Sequence, residues 1–206
     1  RPRDEVVDRL HCVPSSDRPA AKDLGRHVLE DRRSIIEIGL RSACHDRKRA
    51  IDGTFDTKND ELRFMEQVII DQGGATLTMD VSVLHDPDVP TDVSKHAVAA
   101  SADSSIKDAI AMDDENGAMQ IMARGASVLT AQLHQNAQID GVIVLGGTMG
   151  TDLALDVCLS LPLGVPKYIV STVSFSPMLP PDRIAADVQM ILWAGGLYGL
   201  NSICKA

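Results

Sequence analysis

From residue 50 onward the chain alternates two hydrophobic rhythms. Gly141-Val142-Ile143-Val144-Leu145 and Lys167-Tyr168-Ile169-Val170-Ser171 are apolar runs too short for a helix, and they read as buried parallel strands. Ala75 to Val81, after Gly73-Gly74, reads as a further short strand. Between them the period lengthens. Residues 60–72 place Leu62, Met65, Val68 and Ile69 on one helical face, and residues 118–134 do the same with Ile121, Met122, Ala126, Leu129 and Leu133. Residues 152–161 form a third helix stopped by Pro162, while Pro87, Pro90 and Asp92-Val93-Ser94 mark a loop with a cap before a helix at Ala97. Strand and helix alternating at this spacing predict an α/β three-layer fold, an open and mainly parallel sheet covered by helices on both faces. Ligands of such folds sit beyond the carboxyl ends of the strands, so the loops that follow each strand are where chemistry is sought.

The first 49 residues differ in kind. They carry twelve basic and nine acidic side chains, whereas residues 50–206 carry eight and twenty, within a whole of 206 residues and formal net charge −9. The early segment reads as an Arg-rich accessory arm or linker, or else as an integral part of the fold, with one helix signal, Ser15-Ser16-Asp17-Arg18-Pro19 leading to Leu24, Val28 and Ile35. The acidic balance and 3% aromatic content argue against a nucleic-acid surface. No apolar run approaches the roughly 20 residues of a membrane span. The start lacks a secretory core and the four cysteines lack framework spacing, so the expectation is a cytoplasmic protein with reduced thiols.

Three strand-end loops carry the candidate chemistry. In the first, Gly53 permits a tight turn, Thr54 and Thr57 offer hydroxyls, Asp56 can accept from a ribose or hold magnesium through water, and Lys58 can meet a phosphate. The same loop also fits a plain turn with a helix cap. The second, Leu145-Gly146-Gly147-Thr148-Met149-Gly150-Thr151, joins a strand to a helix, where bare glycines let backbone N–H groups approach an anion. Its spacing is neither the dinucleotide fingerprint nor a Walker loop, and close strand–helix packing would also need glycine. Asp152, just inside the helix, would repel a phosphate unless a cation intervenes. The third loop brings Ser171 and Thr172, whose hydroxyls could bond an anion or cap local backbone.

These residues carry a resemblance. Gly53 to Lys58, Asp140 to Gly147, Gly164-Val165-Pro166-Lys167 with Ser171-Thr172, and Trp193 to Asn201 resemble an uncharacterised bacterial and plant family that includes the N-terminal region of the tomato mosaic virus resistance protein. The match covers about residues 50–206. The resemblance implies an ATP-binding domain of Rossmann-like three-layer fold that forms dimers and is usually followed by a second such domain. It implies nucleotide contacts from Gly53, Thr54, Asp56, Thr57 and Lys58, from Gly146, Gly147, Thr148, Gly150 and Thr151, and from Ser171 and Thr172. Relatives commonly have Ser-Gly at Thr148-Met149 and a small polar residue at Asp152. Their first strand is apolar, whereas Arg47-Lys48-Arg49-Ala50-Ile51-Asp52 is basic, so that strand is expected to be very short or badly formed here. The end at Ala206 falls near the family's passage to its second domain, which suggests one half of a longer protein.

Other candidates have plainer readings. His11-Cys12 with Cys44-His45 lacks the spacing of a structural zinc site. His85, His96 and His134 read as solvated, Met112 to Met122 as core filler, and Trp193 to Asn201 as a surface buried in this domain or against a partner. The expected function is therefore an ATP-binding module, with magnesium as companion ion, that meets a second copy or another protein. An enzyme acting on a phosphorylated or carboxylate small molecule is the alternative, with Lys58 neutralising charge and Asp56 placing metal or water.

Overall fold

A computed structural model describes residues 48–177 and 179–193. The Arg-rich arm up to residue 47, the His11/Cys12 and Cys44/His45 pairs, and residues 194–201 lie outside the described residues. Five strands form one sheet: β1 (Lys48–Gly53), β2 (Ala75–Asp80), β3 (Gly141–Gly146), β4 (Lys167–Ser171) and β5 (Val188–Leu192). Their order is β2-β1-β3-β4-β5, and every pairing is parallel. Helices α1 (Asn59–Asp71), α2 (Lys95–Ser101), α3 (Ile106–Ala111), α4 (Glu115–Gln135) and α5 (Thr148–Leu159) connect them, with a 3₁₀ turn at Pro181–Arg183 before β5. The α/β expectation is met.

Side-chain alternation along β1 sorts the layers. Ala50 faces a core built with Val142, Val144, Val98, Met122, Ala126 and Leu153, so α2, α4 and α5 cover that side. Ile51 faces the other side, where Leu62, Met65 and Ile69 of α1 meet Phe55, Ile143 and Leu145. Helices α1 and α4 span the periodic segments read from the sequence. Ser94 caps α2 by accepting from the Ala97 N–H, and Ser105 and Asp108 close a reciprocal capping box on α3, a helix the hydrophobic pattern had not disclosed.

Two expectations need correction. First, β1 is neither short nor badly formed: it has six residues, pairs on both sides, and is buried from Arg49 to Gly53. Its basic residues all lie at the N-terminal end, where Lys48 N–H donates to Asp140 Oδ2 (3.1 Å) and Arg49 Nη1 reaches back to the Lys48 carbonyl (3.5 Å), so the apolar centre is left undisturbed. Second, the third helix begins at Thr148, so Gly150 and Thr151 belong to its first turn and the glycine turn shrinks to Gly146-Gly147. The sequence reading missed β5 altogether, because an edge strand with half-exposed faces needs no continuous apolar run. Met122 is fully buried as filler, but Met112 is 52% exposed.

Candidate functional site

In the strand order β2-β1-β3-β4-β5, the connection out of β1 and the connection out of β3 lead to opposite sides, which makes the β1/β3 edge the topological switch point of the sheet. Asp52 pairs with Val144, so the chain leaves β1 and β3 at one level and both loops open on the same rim.

After β1 the loop winds tightly. Thr57 N–H and Lys58 N–H both donate to the Thr54 carbonyl (3.1 and 2.9 Å), and the Thr54 and Thr57 hydroxyls share a 3.0 Å bond. Lys58 is the first cap position of α1 and gives it no side-chain cap; its ammonium lies 5.1 Å from the ring centroid of Trp193 instead. Trp193, directly after β5, is fixed by its N–H on the Ser171 carbonyl (2.7 Å). The first loop is thereby tied to the ends of β4 and β5.

After β3 the two glycines do different work. A Cβ on Gly146 would stand 2.4 Å from the Gly150 carbonyl carbon and 2.7 Å from Thr151 N, so the strand can meet α5 this closely only without a side chain. A Cβ on Gly147 would find nothing nearer than Thr172 Oγ1 at 3.9 Å, and its φ of −74° is open to any residue. Gly147 is the cap position of α5 and no side chain caps that helix, so the first-turn N–H groups face the rim. Thr148 is exposed there, and Met149, Gly150 and Thr172 are half-buried.

Thr151 and Ser171 are turned inward. Both are fully buried, their hydroxyls 2.7 Å apart, and Thr151 Oγ1 also donates to the Gly147 carbonyl (2.6 Å). They brace the glycine turn; the sequence could not distinguish this from lining the rim, because a hydroxyl serves either use. Gly53 packs under Leu62, its carbonyl accepting from Val81 N–H (3.0 Å).

The repulsion expected from Asp152 has its answer in Arg183, a residue sequence reading passed over. Its guanidinium pairs with the Asp152 carboxylate through Nη1, while Nη2 bonds the Asp152 carbonyl (3.2 Å) and Asp156 Oδ1 (2.7 Å). A cleft of about 200 Å³ beside this turn is lined by Asn116, Thr148, Met149, Asp152, Val173 and Leu179.

Asp80 was also missed. It ends β2, level with Gly53, and its Oδ1 accepts from Phe55 N–H (3.3 Å) and Ser82 N–H (3.0 Å). Burial pushes its carboxyl above the ordinary range, the Ser82 N–H and hydroxyl and the Phe55 N–H pull it partly back, and the Asp56 charge raises it again. Reading the strand through Val81 hid Asp80 as an interior position; ending it one residue earlier exposes an acid at a strand terminus. Asp52 lies deeper, 0% exposed, with neither oxygen hydrogen-bonded within 3.5 Å. Burial raises it to about 7, tempered by the Thr130 hydroxyl. Free Cys158 is raised to about 12 by burial and by Asp52, and so is inert as a nucleophile. Among the described residues no group of three or more His, Cys, Asp or Glu could hold a metal ion, and no helix is long and apolar enough to cross a membrane.

With this geometry in view, the relatives are informative. The chain is 54% identical over 154 residues to a UPF0261 protein of Brucella suis biovar 1, covering 75% of this chain and 37% of that protein. It is 32% identical over 158 residues to a UPF0261 protein of Clostridium tetani, covering 77% and 39%. A more distant relative, 28% identical over 173 residues, is the ToMV susceptible protein tm-1(GCR26) of Solanum lycopersicum, of which 22% is covered. The chain thus spans well under half the length of these proteins. Residues 48–206, which hold the sheet, the glycine turn and the Lys58 loop together, match the N-terminal domain of the uncharacterised protein family UPF0261, and the chain belongs to that family.

Proposed function

We propose that this domain binds a nucleotide, ATP with magnesium, in the crevice above β1 and β3, and that the bound state governs how it meets protein partners. The observation that carries this reading is the α5 N-terminus: uncapped by any side chain, entered through Gly147 with open space where a side chain would stand, and facing the same rim as Lys58. The Arg183 pairing supports it by neutralising the one carboxylate that would repel a phosphate there. Phe175 and Leu192, 82% and 53% exposed beyond or at the same strand ends, support a protein-facing role, which includes pairing with a second copy.

Thermal melting with ATP, ADP, AMP, NAD or buffer, each with and without magnesium, tests the reading. ATP at about 100 times its dissociation constant is expected to stabilise by about 2.7 kcal/mol, a shift of several degrees. In Gly147→Val the side chain occupies the phosphate position while the fold has room for it, so ATP affinity falls at least about ten-fold with little change in the unliganded melting temperature. Unaltered ATP affinity in that variant sinks the site. Phosphate release that disappears in Lys58→Ala would replace the module by an enzyme.

A further inference from the structure

Where the β1 loop crosses the end of β2, three buried side-chain oxygens, two carboxylate and one amide, have no hydrogen-bond partner. Asp80 is 1% exposed; its Oδ1 is held by two backbone N–H groups, and its Oδ2 is buried with no hydrogen-bond partner. Asp56 Oδ1, in the loop whose Phe55 N–H grips Asp80, is likewise buried and unpartnered, and so is Asn59 Oδ1, three residues on at the first position of α1.

The nearby basic groups make their contacts elsewhere, although Arg63 Nε is itself buried without a partner. Lys58 lies over Trp193. Arg63 sits over the Phe55 ring, with hydrogen bonds to Glu66 (2.9 Å) and to the Val89 and Pro90 carbonyls (2.9 and 3.1 Å). No ion pair of Asp56 or Asp80 occurs among the described residues. A buried carboxylate oxygen without a partner is costly, and two carboxylates with an amide oxygen are the donor set that a hard divalent cation takes, the remaining positions being water. Backbone amides fix Asp80 in place, whereas Asp56 and Asn59 are half-buried and give the ion a way in.

We propose that Asp80, Asp56 and Asn59 form a divalent-cation site of the magnesium or manganese class at the β1/β2 end of the rim. The site deepens the nucleotide reading by locating the companion ion, but it is built from protein oxygens and is testable without any nucleotide. Titration of the chain with Mn²⁺ alone, followed by calorimetry and by loss of the free-ion electron paramagnetic resonance signal, is expected to show one saturable site. Asp80→Asn and Asp56→Asn each weaken it by about ten-fold or more. Asp88→Asn, an exposed carboxylate elsewhere, leaves it unchanged.

Melting provides the check on folding. Without metal, Asp80→Asn melts at or above the parent temperature, because an unpaired buried charge has gone; with Mn²⁺ the parent shifts upward and the variant does not. Absence of saturable Mn²⁺ binding in the parent overturns the proposal, as does an Asp80→Asn variant that binds Mn²⁺ like the parent, or an Asp88→Asn variant weakened to the same degree. An ATP shift in chelator with no Mn²⁺ binding would leave the nucleotide reading standing and remove only the cation site.

Discussion

Asp52 shows how far a single residue can depart from its ordinary chemistry. It stands in β1, an interior strand paired on both sides, with Thr130 and Cys158 as polar neighbours, and burial holds its carboxyl at about 7 against an ordinary value of 3.8. Between these values the folded chain keeps a proton that the unfolded chain has released, so this residue makes stability fall as pH rises through the window, by on the order of 4 kcal/mol in total. Above the window both states are ionised and the slope vanishes. Asp52→Asn is neutral throughout. Urea unfolding at pH 5 and pH 8 should therefore show the parent losing stability relative to the variant by a few kcal/mol, and parallel pH profiles would refute the assignment. Nothing in the local sequence signals this. Asp52 reads as the end of a strand beside a glycine, and only the helices laid over that face remove it from water.

At the scale of the element, the strand–turn–helix unit from β3 to α5 divides one dipeptide between two tasks. Gly146→Ala forces backbone against backbone and should cost roughly 1–3 kcal/mol or more, measured by denaturant midpoint. Gly147→Ala has ordinary φ and space around its new carbon, and should change stability by no more than about 0.5 kcal/mol. Equal losses for the two would mean that the turn serves packing alone. The hydrophobic rhythm made β3, β4, α1 and α4 readable, since each buries a full face. It failed for β1, where Lys48 and Arg49 suggested a poor strand, because the rhythm does not tell which end of a strand escapes the core. It also failed for β5 and α3, which are short and half-exposed.

Across the whole molecule, the crossover from β4 to β5 reaches back to the second strand-end loop through Arg183, 31 residues from Asp152. Arg183→Gln should leave the Asp152 charge unopposed at the α5 N-terminus and weaken ATP binding about two- to five-fold, an effect within the range of a helix-end charge. Asp152→Asn in that background should restore affinity. If it does not, Arg183 acts through structure and not through charge. The pairing explains how the domain carries an acid in the first turns of α5.

The sequence by itself determined the layer architecture and the rim. Apolar runs too short for helices must become buried strands, and periodic segments between them must cover both faces, so the loops beyond β3 and β4 follow from connectivity alone. It also sufficed for the family resemblance, because the motifs are contiguous. Only the tertiary structure decided which polar side chains face the crevice. Thr151 and Ser171 turn inward to each other, Asp80 joins the rim from the edge strand, Trp193 receives Lys58, and Arg183 silences Asp152. Each of these depends on which distant group stands opposite, and the pairing of residues far apart in the chain is fixed by packing, not by local pattern.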